Sequence, residues 1–148
     1  MPILEFRLPL PGVTQRDLFE FHRNPVALER LSPPSKQLRI LERPNAMRNG
    51  ARVVLAVRQF GIPLTWVSVI TDWDPPRRFS DIQEKGPFAR WKHQHIFQDG
   101  LLIDRVDYEV PFVLLGGRLV ERLFVRPDLV RMFRHRHDVT GKALLPHV

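Results

Sequence analysis

Residues 91–108 of this 148-residue chain, WKHQHIFQDGLLIDRVDY, constrain its fold more than any other stretch. Two alternating runs meet at Asp99-Gly100, and Asp-Gly between such runs is the strongest short hairpin signal. With those two residues as the turn, Gln98 pairs with Leu101 and the register follows by counting. His95 then faces Asp104, His93 faces Val106 and Trp91 faces Tyr108. Strand side chains alternate with period two, so Trp91, His93, His95 and Phe97 share one face. A face that carries aromatic, imidazole and carboxylate groups together suits a pocket wall better than a plain core.

The rest of the chain supplies more strands of the same kind. Strand patterns cover 2–8, 37–42, 52–60, 62–73, 77–84, 88–98 and 101–112, most of them joined by short Gly, Asn or Pro turns. Seven strands linked this way predict an antiparallel, meandering sheet. Between the first and second strands the chain is helical. Thr14 is a cap with Asp17 in the capping-box position, and Asn24-Pro25 restarts a second short helix through Leu31. After Gly117, Leu119, Leu123, Phe124, Leu129, Val130 and Phe133 recur at helical spacing. Pro127 lies inside that pattern, which predicts a kink or break over 125–128. The tail from Gly141 is expected to fray.

Composition narrows the function classes. The length fits one domain, taken as 1–148, with room for a core and a modest cavity. There is no cysteine, hence no disulfide framework, thiolate nucleophile or Cys-based zinc site. No apolar run is long enough for a membrane span and the start lacks a signal-peptide layout, so a cytoplasmic location is expected. The net charge of +7 comes mostly from scattered arginines, which reads as arginine-rich codon usage rather than a nucleic-acid surface. Arg131, Arg134, His135, Arg136 and His137 form the one compact basic cluster. A protein or RNA partner is the alternative use for it, and a solvated helix end is the plainer reading.

Strand, two short helices, six strands and a long terminal helix is the order of the helix-grip fold. The phrases FHRNPVALERLSPP (21–34), DPPRRFSDIQEKGPFARWKHQHIF (74–97) and DRVDYEVPF (104–112) resemble the bacterial SRPBCC ligand-binding family, also called START-like or Bet v 1-like. The resemblance implies an α+β fold: a curved seven-stranded antiparallel sheet and two short N-terminal helices packed on a long C-terminal helix, with a hydrophobic cavity between. It implies a lipid-, polyketide- or aromatic-like small molecule as ligand, and it brings no cofactor with it. Relatives range from carriers to cyclases, so a polyketide cyclase or dehydratase activity is the alternative to binding alone.

On this frame the candidate cavity residues are Trp66, Ser68, Phe79, Trp91, His93, His95, Tyr108, Phe112 and Phe133. Trp66 and Ser68 share a face with Leu64 and Ile70, polar handles among apolar walls, as ligand pockets have. His95 hydrogen-bonded to Asp104 is the candidate general base, with Tyr108 as donor; the plainer reading is a buried polar pair that satisfies itself. His93 and His95, about 7 Å apart along the strand, also suit two imidazole ligands with Asp104 as third. A lone His-x-His is a weak metal signature, so no metal is expected. Asp81 stays open. A two-residue turn at Lys85-Gly86 sets it opposite Arg90 outside, and a three-residue loop sets it opposite Trp91 inside; Phe79 shares its fate. The exposed sheet edges leave a homodimer open.

Overall fold

The structure is a computed structural model and describes residues 2–111 and 117–146. Its strands are β1 (Ile3–Pro9), β2 (Arg39–Glu42), β3 (Arg52–Gln59), β4 (Ile62–Asp74), β5 (Arg78–Lys85), β6 (Arg90–Gln98) and β7 (Leu101–Glu109). They form one curved antiparallel sheet in the order β1-β7-β6-β5-β4-β3-β2, so β2 to β7 meander and β1 returns to pair with β7. The Asp99-Gly100 hairpin holds the register read from the sequence, Gln98 with Leu101 and His95 with Asp104. Gly100 has φ of 74° there, a backbone that side chains disfavour.

The connection from β5 to β6 is longer than either expected turn. Gly86 to Ala89 link the strands, and Gln83 clamps the loop: its side chain donates to the Phe88 carbonyl (2.7 Å) and accepts from the Phe88 N–H (3.0 Å). Gly86 leaves room for the clamp, since a Cβ there would lie 2.4 Å from Gln83 Oε1. The resulting register pairs Asp81 with His93 and Phe79 with His95. Both therefore face inward, opposite neither Arg90 nor Trp91.

Helix α1 (Gln15–Arg23) starts at the Thr14–Asp17 capping box. Helix α2 (Ala27–Leu31) begins two residues later than Asn24-Pro25 suggests, because the Asn24 side chain accepts from the Val26 N–H and extends the turn. The C-terminal segment runs as α3 (Gly117–Val120), a π turn (Glu121–Val125) and α4 (Arg126–Leu144). Pro127 does not break it. The π turn widens the ladder ahead of the proline, with the Arg126 N–H reaching back five residues to Glu121 O. That turn also changes which face is buried. Glu121, Val125, Leu129, Phe133, Arg136 and Thr140 point inward, while Leu119, Leu123 and Phe124 are exposed. The end of α4 is packed rather than frayed: Thr140 is buried, and Leu144 and Leu145 rest on the apolar cluster around Leu18, Phe19 and Phe97.

That cluster fills one end of the layer between sheet and helices. A second, formed by Trp91, Val106, Tyr108, Leu129 and Phe133, fills the other. Strand β6 connects them, with Trp91 in one and Phe97 in the other. His93 and His95 lie between.

Candidate functional site

The polar rung between the two clusters is built by three adjacent strands. His93 and His95 come from β6, Asp104 from β7 and Asp81 from β5, all on the inner face. Each imidazole bonds the carboxylate that faces the other. His93 Nε2 lies 2.6 Å from Asp104 Oδ1, and His95 Nε2 lies 2.7 Å from Asp81 Oδ2. Carboxylates only accept, so those nitrogens donate. The expected His95–Asp104 hydrogen bond is not made; the nearest approach is 3.8 Å, from His95 Nδ1. The two rings lean together with centroids 3.8 Å apart, and Phe79 stacks on His95 at 4.3 Å. Asp104 takes a further hydrogen bond from His137 Nε2 at 2.7 Å, which ties helix α4 to the sheet.

A cavity of about 130 Å³ opens above this rung, bounded by α2, α4 and strands β3 to β6. Val53, Leu55, Val57, Leu28, Leu31 and Met132 supply apolar wall, and Trp66, Ser68, Phe79, Trp91, His93, His95 and Phe133 are all part of the lining. An engineered apolar cavity of about 150 Å³ holds a benzene ring, so this conformation accommodates one compact group. Lys36 closes one side, bonded to Asp128 (2.6 Å) and Gln59 (2.8 Å). Trp66 Nε1 donates to Ser68 Oγ at 3.1 Å.

Two expected lining residues fall elsewhere. Tyr108 is fully buried in the apolar cluster under α4, and its hydroxyl donates to Glu121, whose carboxylate Arg126 also grips. It does not reach the cavity, so it cannot serve there as a donor. Phe112 lies outside the described residues. The basic cluster is divided as well. Arg131 and Arg134 are exposed, but Arg136 is buried and lines the cavity, and His137 points at Asp104. A helix end with two of its five basic groups turned inward is no single basic face.

Arg136, His22 and Asp81 are the site residues that sequence reasoning missed or left undecided. For His22 the signal was present: it lies one turn after Leu18 on the inner side of α1, and its Nδ1 donates to the Leu18 carbonyl at 2.8 Å. Arg136 sits three residues past Phe133 on the same face, a spacing hidden by its run of basic neighbours. Its guanidinium lies 5.7 Å from the Phe133 ring. Among the described residues it donates no hydrogen bond, and no carboxylate comes within ion-pair reach.

Electrostatics here follow burial. His95 is pushed down to about 4, first by burial and then by the charge of His93, against the hydrogen bond and charge of Asp81. His22 is pushed down to about 3, again chiefly by burial. Burial alone would raise Asp81 and Asp104. Hydrogen bonds from His95 to the first, and from His137 and His93 to the second, outweigh it and hold both below the usual range, Asp104 well below. One consequence is acid sensitivity. The unfolded chain protonates His95 near 6.5 and the folded chain near 4, so the unfolded state binds more protons between those values. Stability should therefore fall as pH drops through that window, by about 1.4 kcal/mol per unit for this histidine. Urea midpoints at pH 7, 6 and 5 with chelator present measure the slope, and His95→Gln is expected to flatten it by that amount. An equal slope in both proteins would refute the assignment.

An antiparallel sheet gripping a C-terminal helix over an apolar cavity defines the START-like, SRPBCC class of protein. Residues 12–134 match the family described as polyketide cyclase / dehydrase and lipid transport, and the chain belongs to that family. That membership supports a ligand-binding or cyclase role. Solved structures agree in fold. TTHA0849 from Thermus thermophilus is 15% identical with a TM-score of 0.67, covering 95% of this chain and 97% of that one. A START superfamily protein from Mycobacterium smegmatis is 10% identical with a TM-score of 0.64, covering 96% of each chain. The di-domain ARO/CYC BexL from the BE-7585A biosynthetic pathway is 19% identical with a TM-score of 0.66, covering 95% of this chain and 46% of that one. No curated protein matches the chain in sequence. Among the described residues no helix is long and apolar enough to cross a membrane.

Proposed function

We propose that this protein binds a small hydrophobic molecule, lipid-, polyketide- or aromatic-like, and that the molecule presents an acceptor oxygen to Arg136. The observation that carries this reading is Arg136, a largely buried residue whose guanidinium lies at the margin of an apolar cavity without a carboxylate in ion-pair reach or a hydrogen-bond acceptor of its own among the described residues. A charge with so little surrounding water gains from a partner, and a ligand oxygen would supply one. The apolar walls supply affinity without direction, and the guanidinium supplies orientation.

Native mass spectrometry of the purified protein, before and after denaturing and solvent extraction, tests whether a ligand is carried. A mass excess that extraction removes supports the reading and identifies the ligand class. Small aromatic carboxylates are then titrated against the fluorescence of Trp66 and Trp91, the tryptophans of the cavity wall. Arg136→Met, which keeps the volume, is expected to weaken binding about 10- to 100-fold, the worth of a hydrogen bond to a charged group. A clean apo mass together with no fluorescence response would overturn the reading.

The His95–Asp81 pair fronting the cavity favours a second reading, a cyclase or dehydratase in which the Asp81 carboxylate, oriented by the His95 Nε2–H, is the general base. Asp81 takes the place first assigned to Asp104, and Tyr108 has no part. His95→Gln separates the two readings: lost turnover with retained ligand affinity supports the enzyme, and unchanged turnover removes it.

A further inference from the structure

Among the described residues, the polar rung contains one fully buried nitrogen without a hydrogen-bond partner. His95 Nδ1 is buried and makes no hydrogen bond. The ring is neutral near pH 7 and its single proton sits on Nε2, shared with Asp81. Nδ1 is therefore a bare lone pair 3.8 Å from the Asp104 carboxylate, two acceptors facing each other where a proton would serve both.

The arrangement around this atom has a pattern. His93 turns Nε2 to Asp104 (2.6 Å) and Nδ1 to Asp81 (3.6 Å). His95 turns Nδ1 to Asp104 (3.8 Å) and Nε2 to Asp81 (2.7 Å). Each ring thus has one nitrogen towards each carboxylate. Asp81, His93 and His95 each offer a ligand atom, and the three atoms lie within 4.8 Å of one another.

We propose that Asp81, His93 and His95 form a binding site for a divalent transition-metal ion, open to the cavity. Two imidazole nitrogens and one carboxylate oxygen are a donor set that zinc, ferrous iron and cobalt(II) accept, with further positions left for solvent or ligand. The ion would take His93 Nδ1, His95 Nε2 and an Asp81 oxygen. The proton of His95 then moves from Nε2 to Nδ1, the ring stays neutral, and Asp104 accepts from both histidines. That gives the lone Nδ1 a partner and makes Asp104 the outer carboxylate that orients metal-bound histidines, itself held by His137. The charges of Asp81 and Asp104 balance the dication, while Arg136 in the same cavity opposes it. The inference stands apart from the ligand reading, because the ion is measured with the protein alone.

Full-length protein stripped with chelator is titrated with cobalt(II), followed by visible absorption, and with zinc by calorimetry. One ion per chain is expected. Asp81→Asn should weaken binding by at least about 100-fold and Asp104→Asn by about 10- to 100-fold. X-ray absorption of the zinc-loaded wild-type protein should show two imidazoles at about 2.0–2.1 Å, and it decides the matter even if a variant fails to fold. Absence of saturable binding, fewer than two imidazoles, or a folded Asp81→Asn protein that binds like wild type would each overturn the proposal.

Discussion

Replacing Asp104 by alanine is expected to lower the unfolding free energy by about 3–5 kcal/mol, the cost of removing one partner from a buried charged network. Asp104 is 1% exposed and accepts from His93 on β6 and His137 on α4. Its loss leaves two imidazole N–H groups without acceptors and cuts a polar tie between sheet and helix. The exposed ion pairs of this protein, such as Arg7 with Glu5, are worth about 0–1 kcal/mol by comparison. Urea denaturation at pH 7 with chelator present measures the difference, and a loss under about 1 kcal/mol would show that the network is dispensable. The pH dependence has a definite sign. A carboxyl held well below 3.8 in the folded state stabilises above that value and loses its contribution as pH falls towards the folded-state value. Asp104→Ala should lack that acid limb.

Replacing Phe133 by alanine should cost a similar amount, about 3–5 kcal/mol, by a different mechanism: truncation removes apolar burial and leaves a cavity that surrounding strands cannot collapse to fill. Phe133 has no exposed surface, stacks on Phe6 at 4.7 Å and meets His93 edge-on at 5.0 Å. The melting temperature should fall on the order of 10 °C. Because Phe133 also lines the ligand cavity, the vacated space joins it. A folded variant should therefore admit larger aromatic probes than wild type, read by the fluorescence of Trp66 and Trp91. A stable variant with unchanged probe size would place Phe133 outside the wall.

Both predictions depend on contacts of unequal legibility. Alternation, one Asp-Gly turn and a capping box are local signals, and each is satisfied by residues close in sequence. They led to the antiparallel meander, the hairpin register and the placing of His95 opposite Asp104 across β6 and β7; that β1 returns to pair with β7 they did not give. Where a contact left no pattern in the sequence, that reading stopped short. The Gln83 clamp on Phe88 lengthened a turn, and with it decided that Asp81 faces inward. The π turn before Pro127 rotated the helix, burying Glu121 and Val125 and exposing Leu119, Leu123 and Phe124.

By itself the sequence pointed to the class of fold, the inner face of β6 and some of the wall residues around the cavity, because period and turn chemistry are properties of neighbours along the chain. Only the tertiary structure decided which carboxylate each histidine bonds and that Arg136 turns inward while Arg134 does not. Those outcomes depend on how β5 and α4 approach β6, and a side chain's lean across strands is set by packing that no local pattern encodes.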